Sequence, residues 1–118
     1  MSQAIERFFE AWGEPDAATR ARHLRAAISP DISYADPRTP DRLTDPEALI
    51  AYVAMYTQYA PGATARVVAL SETLALFRAT VEFRMSDGKT QLGQYFIECD
   101  DDARPTRMIG FAGLGAAQ

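Results

Sequence analysis

The sequence has only one cysteine, Cys99, and one histidine, His23. A single cysteine excludes a disulfide within the chain and a metal site built from several cysteines, and it fits a reducing compartment. With one histidine and no carboxylates at ligand spacing, the sequence predicts no metal site and no cofactor. We expect His23 on the surface and Cys99, which falls in a strand pattern, as a small buried side chain.

The sequence also lacks a run of Lys and Arg and a long apolar stretch. Its net charge is −4, so nucleic acid and anionic membranes are not expected partners. No segment approaches the roughly 20 apolar residues that a membrane-spanning helix needs. Residues 1–10 carry charges within their apolar pattern and have no signal-peptide core. The sequence therefore predicts a cytoplasmic protein.

What remains has the composition of an ordinary folded domain. The chain has 118 residues, of which 47% are apolar and 24% are charged. That length suits one hydrophobic core but not two. No internal repeat or linker is visible, so we expect a single domain over residues 1–118.

An amphipathic helix is predicted near the N-terminus, because four apolar residues recur at the i, i+3, i+4 and i+7 spacing. These residues are Ile5, Phe8, Phe9 and Trp12. Ser2 is the expected cap, and Gly13 is expected to end the helix. Such an aromatic stripe belongs either to the core or to the wall of a ligand cavity, and the sequence leaves both open.

Two more helices are predicted from their starting signals. Asp16 caps the second helix, whose expected inner face is Ala17, Ala21, Leu24 and Ile28. Thr44–Glu47 reads as a capping box with proline in the first turn, and it opens a third helix through about Tyr59. The expected apolar face of that third helix consists of Leu49, Ile50, Val53, Tyr56 and Thr57.

The second half of the chain changes to a two-residue period, which predicts strands. The strands are expected at Ala63–Leu70, Leu74–Met85, Thr90–Cys99 and Thr106–Phe111. Ser86–Lys89, with its Asp-Gly pair, predicts a hairpin turn. Helices followed by an antiparallel meander predict an α+β fold, with three N-terminal helices packed on a strongly curved sheet around an interior pocket.

The strand Thr90–Cys99 is apolar on both faces. Leu92 and Phe96 lie on one face, opposite Tyr95 and Ile97 on the other. When one face of a sheet packs on helices, apolar side chains on its outer face are exposed to water unless another surface covers them. A second copy of the chain is the simplest cover, so we expect a homodimer through the sheet.

The segment Ile32–Pro37 carries the chemistry of the chain. Pro37 holds Asp36 in extended geometry, so Ile32, Tyr34 and Asp36 should share one face of a short strand. If that face looks inward, loss of hydration makes the Asp36 carboxylate a usable proton acceptor. If it looks outward, Asp36 is a turn residue that bonds its own backbone. The residues alone leave both readings open.

The order of these elements resembles the nuclear transport factor 2-like superfamily, and more narrowly its SnoaL-like and ketosteroid isomerase-like branch. The segments that carry the resemblance are Arg7–Asp16, Ser33–Pro37, Asp45–Leu49 and the closing hairpin. The resemblance spans nearly the whole chain and implies a cystatin-like cone with an interior cavity. It is specific for the fold but not for one activity, because this superfamily hosts isomerases, cyclases, dehydratases, epoxide hydrolases and non-catalytic binders.

The resemblance gives Asp36 a role, but the two hydrogen-bond donors that accompany it in the family are missing. In ketosteroid isomerases the aspartate of the Asp-Pro pair is the general base, and Asp36 matches that position. The first-helix tyrosine that donates to the oxyanion aligns with Phe8, which has no donor. The second donor, a carboxylic acid, aligns near Gly93. Losing both donors removes most of the stabilisation of the transition state in a steroid isomerase mechanism.

Two other activities of the same fold are also incomplete in this sequence. Polyketide cyclases of the SnoaL type are similar in fold but use an acid on the final strand, and Thr106–Phe111 has none. Epoxide hydrolases of this fold need an Asp-Arg-Asp arrangement in the cavity. Arg78 and Arg84 are predicted on the face opposite the apolar residues of their strand.

Two functions of different classes therefore stay open. The first is an isomerase- or lyase-type enzyme in which Asp36 is the general base on a small apolar carbonyl substrate. A hydroxyl of Tyr34, Tyr56 or Tyr95 would then replace the missing oxyanion donors.

The second function is a non-catalytic homodimeric domain that binds a small apolar molecule. In either case we expect a cavity between the first helix and the sheet. Its expected lining is Phe8, Trp12, Tyr34, Tyr56 and Tyr95, with Asp36 as the acidic group.

Overall fold

The computed structural model describes residues 3–115, so the expected cap Ser2 lies outside the described residues. Three helices are present: α1 (Gln3–Glu10), α2 (Ala17–Ala27) and α3 (Pro46–Tyr59). A single 3₁₀ turn, Ala11–Gly13, continues α1. The structure also contains five strands within residues 3–115: β1 (Ser33–Ala35), β2 (Thr64–Thr73), β3 (Leu76–Arg84), β4 (Thr90–Cys99) and β5 (Pro105–Ala112).

The strands form one sheet in the order β1-β5-β4-β3-β2. All neighbours are antiparallel except β1 and β5, which run parallel. The helices pack on one face of this sheet, and the buried apolar residues between the two layers form one cluster. The predicted α+β architecture, with three helices on a mainly antiparallel sheet, is confirmed.

Helix starts follow the predicted chemistry with one correction. The Asp16 side chain caps α2 and accepts a hydrogen bond from the Thr19 amide at 2.9 Å. The cap of α3 is Asp45 rather than Thr44, and its carboxylate accepts from the Ala48 amide at 2.8 Å. Pro46 explains the difference, because a residue before proline is held in the extended geometry that a cap requires.

The aromatic stripe of α1 is buried, which decides for the core at most of its positions. Ile5, Phe8 and Phe9 are buried, and so is Trp12 in the 3₁₀ turn. Gly13 lets this turn lie against β2, since a Cβ there would be 3.1 Å from Cγ2 of Thr64. The turn therefore carries Trp12 off the α1 helix and against the sheet.

The predictions for His23, for the inner face of α2 and for Cys99 were confirmed only in part. His23 is exposed, as predicted, whereas Ala17 is exposed and not on the inner face of α2. Arg20 is buried there instead, because its Nη1 donates to the Glu14 carbonyl at 2.8 Å. Cys99 is half-buried, and burial raises the pKa of its thiol to about 11.

The outer face of the sheet retains exposed apolar side chains. Phe96 and Phe111 are 51% and 52% exposed, and their ring centroids lie 5.8 Å apart in an edge-on contact. No helix within residues 3–115 is long and apolar enough to cross a membrane.

Candidate functional site

The short strand β1 is fixed from both sides. It pairs with β5, where Tyr34 stands beside Met108, and Tyr34 exchanges two backbone hydrogen bonds with Leu43 at 2.9 and 2.8 Å. This double pairing points the Tyr34 side chain inward, where it is fully buried. Asp36 follows two residues later on the same face and is partly buried.

Asp36 closes a turn with its own side chain. Its Oδ1 accepts hydrogen bonds from the backbone amides of Arg38 at 2.8 Å and Thr39 at 3.2 Å. The Asp36 amide in turn donates to Oγ1 of Thr39 at 3.1 Å. This is the local bonding expected of an aspartate in a turn.

The same carboxylate is also reached by two phenols. The Tyr34 hydroxyl donates to Oδ2 of Asp36 at 2.7 Å, and the Tyr52 hydroxyl lies 2.8 Å from Oδ1 and 2.7 Å from Oδ2. A further bond of 2.8 Å joins the hydroxyls of Tyr34 and Tyr95. We call Asp36, Tyr34, Tyr52 and Tyr95 the tyrosine–aspartate network. The two expected positions of Asp36, in a turn and facing inward, therefore occur together.

The protons in this network can be assigned from acceptor strength. Burial raises the pKa of Tyr34, Tyr52 and Tyr95 above the usual value of a phenol, and the charge of Asp36 adds to the effect. All three hydroxyls therefore keep their protons at neutral pH and act as donors. The carboxylate is the strongest acceptor, so Tyr34 donates to Asp36 and Tyr95 donates to Tyr34. Asp36 is the proton acceptor of the network.

A cavity of about 100 Å³ opens beside the network. Its wall is largely aromatic, with the Trp12 ring 5.1 Å from that of Tyr56, 5.8 Å from Phe83 and 6.2 Å from Tyr52. The polar and charged lining residues are Asp36, Arg38, Tyr52, Tyr56, Gln91 and Tyr95. Asp36 is the one carboxylate in this lining among residues 3–115, and these residues contain no group of three or more His, Cys, Asp or Glu side chains that could hold a metal ion.

Four of the six predicted site residues line this cavity. They are Trp12, Asp36, Tyr56 and Tyr95. Phe8 does not line it and is a correction: the ring is fully buried, with its centroid 6.1 Å from those of both Trp12 and Tyr34. The reason is that α1 turns its stripe into the core, and only Trp12, in the 3₁₀ turn, reaches the cavity. Tyr34 also lies behind the wall and contributes through its hydroxyl.

Sequence reasoning missed two residues of the site, Tyr52 and Arg38. The signal for Tyr52 was present, since it lies three residues after Leu49 and four before Tyr56, on the face of α3 that both share. The predicted stripe used Ile50 and Val53 in its place. Arg38 stands between the predicted short strand and the predicted third helix, and nothing in its spacing indicates a cavity.

The position of the second family donor is closed to a side chain. A Cβ on Gly93 would lie 3.0 Å from the Phe111 carbonyl oxygen and 3.7 Å from the Phe83 ring. An acid there would displace the neighbouring strand or the ring. The Tyr52 hydroxyl, which comes from α3, lies beside Asp36 instead.

One donor in the wall has no partner. The indole N–H of Trp12 is buried and makes no hydrogen bond within the part of the chain that the structure describes. A buried donor without a partner is costly and is rare in folded proteins.

No protein-family model matches the sequence, and no curated protein is significantly similar to it. Solved structures do share its fold. A proposed isomerase of the SnoaL-like family from Agrobacterium tumefaciens matches with a TM-score of 0.84 at 18% identity, over 95% of this chain and 96% of its own.

Two further structures show the range of activities on this fold. A proposed ketosteroid isomerase from Kribbella flavida matches with a TM-score of 0.72 at 16% identity, over 98% of this chain and 79% of its own. An LEH-like epoxide hydrolase from M. tuberculosis matches with a TM-score of 0.68 at 16% identity, over 94% of this chain and 80% of its own. At such identities the likeness establishes the fold. The chain shares the fold of these proteins.

Proposed function

We propose that this chain, with its SnoaL-like fold, is an isomerase- or lyase-type enzyme that moves a proton next to the carbonyl of a small, mainly apolar compound. The observation that supports this most is the Tyr52 hydroxyl, which lies 2.7 and 2.8 Å from the two oxygens of Asp36 in the cavity wall. Proton removal beside a carbonyl needs a base and a donor to the developing oxyanion, and these two side chains supply both.

The Asp36 carboxylate accepts a full set of hydrogen bonds from the protein itself. It receives two backbone amides and the hydroxyls of Tyr34 and Tyr52, which is about as many bonds as a carboxylate accepts. Three of these donors are fixed, because two are backbone groups and Tyr34 is fully buried. Tyr52 is half-buried, lines the cavity and shares one proton between two oxygens. Tyr52 is therefore the donor that a substrate can take over.

The reaction then follows in two steps. The substrate carbonyl oxygen accepts the Tyr52 hydrogen bond, and the freed Asp36 oxygen takes a proton from the adjacent carbon. The C–H electron pair becomes the double bond of an enolate, whose oxygen is held by Tyr52. If the substrate carries a β,γ double bond, the proton returns from Asp36 to the γ-carbon and gives the conjugated isomer. If it carries a β-substituent, that group departs with its bonding electron pair and takes up the proton from Asp36, which gives the unsaturated lyase product.

Tyr34 and Tyr95 act as positioning residues in this proposal. Tyr34 holds Oδ2 of Asp36 and is itself held by Tyr95 at 2.8 Å. A carboxylate fixed by a buried chain of hydrogen bonds keeps one orientation toward the cavity.

A non-catalytic binder of a small apolar molecule is the second candidate. The saturation of Asp36 favours it, since a carboxylate with every acceptor position filled is also the expected centre of a purely structural network. The aromatic wall serves a binder equally well.

Deuterium exchange separates the two candidates. The unmodified protein is incubated in D₂O with cyclopentanone or butanone, and label at the carbon next to the carbonyl is followed by NMR. We expect uptake faster than in buffer, and loss of this acceleration in Asp36→Asn because an amide does not accept the proton. Asp41→Asn, an exposed carboxylate of the same loop, is the matched control and should exchange normally.

The fluorescence of Trp12, the single tryptophan of the chain, reports occupancy of the cavity in the same samples. A ketone that changes this fluorescence but exchanges no faster than in buffer identifies the protein as a binder and overturns the enzymatic proposal.

A further inference from the structure

We propose that Arg38 anchors a carboxylate of the ligand, so that the cavity takes small oxo-carboxylate anions in preference to neutral ketones. This inference rests on the proposed function only for which end of the ligand faces Asp36 and Tyr52. It refines the expectation of a wholly apolar ligand, because the cavity wall is aromatic but its charged lining includes a guanidinium.

The backbone of Arg38 is fixed by the site itself. Its amide donates to Oδ1 of Asp36 at 2.8 Å, within the turn that Asp36 closes. Its guanidinium carbon lies 5.6 Å from the centroid of the Tyr56 ring, which is part of the cavity wall. A cation at this distance over an aromatic ring is held there without neutralising its charge.

The Arg38 guanidinium has no anionic partner. Within residues 3–115 it makes no ion pair and no side-chain hydrogen bond, although five other arginines pair with a carboxylate. Asp36, two residues away, is not among its ion-pair partners. The cavity lining therefore holds a separated cation and anion, and each is available to a different end of a ligand.

The chemistry of a guanidinium selects the group that binds it. Its planar fork of N–H donors matches the two oxygens of a carboxylate, and such bidentate pairs are stronger than bonds between neutral groups. The protein as a whole carries a charge of −4, so its overall field does not attract anions. Binding of a small anion would be a property of this position.

The size of the cavity limits what can carry that carboxylate. Its volume of about 100 Å³ is below the roughly 150 Å³ of a cavity that holds benzene. The cavity is also open to solvent on one side, so it encloses only one end of a ligand. We therefore expect a short chain whose carboxylate lies at the open side, where Arg38 is exposed. With the carbonyl at Tyr52 and the carboxylate toward Arg38, the ligand class is a short oxo acid.

The test compares two probes of nearly the same shape, 2-oxobutanoate and its neutral amide, 2-oxobutanamide, by titration of Trp12 fluorescence. We expect the unmodified protein to bind the anion at least about tenfold more tightly than the amide, as a charge-assisted bidentate pair implies. Arg38→Gln should lose this preference while its affinity for the amide stays the same. Arg38→Lys, which keeps the charge but not the fork, should retain part of the preference.

Arg42→Gln is the matched control. Arg42 is an exposed arginine of the same loop whose guanidinium lies near Ser33 rather than in the cavity lining, so the preference should be unchanged. Equal affinity of the unmodified protein for the two probes overturns the inference. So does an equal loss in Arg42→Gln and Arg38→Gln, which would show a general effect of charge.

Failure of this inference and failure of the proposed function give different results. If the protein prefers the carboxylate through Arg38 but catalyses no deuterium exchange, the anion site is supported and the enzymatic function is contradicted. If the protein catalyses exchange of neutral ketones but shows no preference for the anion, the enzymatic function is supported and the anion site is contradicted.

Discussion

Asp36 combines two roles that are usually met in separate residues. Its Oδ1 closes a turn through two backbone amides. Phenolic hydroxyls also donate to the carboxylate, one from the buried Tyr34 and one from Tyr52 in the cavity wall. Each of these groups donates a hydrogen bond. A carboxylate accepts such bonds at both of its oxygens, whereas the amide nitrogen of an asparagine does not accept any. The residue is therefore both a structural acceptor and the only carboxylate in the lining among the residues described.

This dual role sets the expected stability of Asp36→Asn. A carboxylate with only aromatic neighbours would gain or lose little from the change, but here charge-assisted hydrogen bonds are replaced by neutral ones. We expect Asp36→Asn to lower the free energy of unfolding at pH 7 by about 1–2 kcal/mol. Urea denaturation measures it, with Asp41→Asn as the control. A mutant as stable as the parent would mean that the phenols do not bond Asp36 in solution.

The residue scale also shows why the sequence predicted only part of the site. Asp36 was predicted because Asp-Pro constrains the backbone locally. Tyr52 and Arg38 were not, because their roles depend on where α3 and the turn after β1 lie relative to the sheet. Phe8 was misplaced for the same reason: helical spacing predicts which face is buried but not what lies against that face.

At the scale of elements, a glycine on β5 leaves the space that the tyrosine–aspartate network needs. Gly110 faces Tyr95 across the β4–β5 pair, and a Cβ on Gly110 would lie 2.6 Å from Cε2 of that ring. The Tyr95 ring is almost fully buried, so it has little space to move away. The glycine therefore allows the Tyr95 hydroxyl to reach Tyr34.

We expect Gly110→Ala to destabilise the protein by about 1–3 kcal/mol, because an added methyl group overpacks a closed site. The measurement is a double-mutant cycle with Tyr95→Ala, read by urea denaturation. In the Tyr95→Ala background the same substitution should cost almost nothing. Equal costs in both backgrounds would show that the methyl group does not meet the ring.

Element types followed from local patterns far better than element edges did. The bounds Thr90–Cys99 of β4 were predicted as they occur, because turn residues punctuate both ends. The start of β3 was misplaced, since Leu74 and Ala75 adopt positive φ in the turn between β2 and β3. Their apolar side chains gave no sign of a turn, and both residues are exposed.

At the scale of the whole molecule, the outer face of the sheet is the surface for which a second copy is proposed. Phe96 and Phe111 form an exposed aromatic pair on neighbouring strands, and Arg107 and Glu98 lie beside it as an ion pair at 3.5 Å. A two-fold contact would place this pair against its own copy. Burial of each large side chain contributes about 1.5–3 kcal/mol.

Sedimentation at micromolar concentration measures the oligomeric state. We expect a species of about twice the chain mass of 13.0 kDa, and a monomer for the double variant Phe96→Ser, Phe111→Ser. Leu74→Ser is the control, since Leu74 is 93% exposed in a turn and away from the aromatic pair. A parent protein that sediments only as a monomer would exclude the dimer.

The parallel pairing of β1 with β5 has a consequence for how the protein matures. Tyr34 and Met108 are partners although they stand more than 70 residues apart in sequence. During synthesis, the segment that carries Asp36 leaves the ribosome long before the strand that holds it exists. Contacts of such long sequence separation form slowly. We therefore expect the network around Asp36 to be complete only after β5 docks against β1.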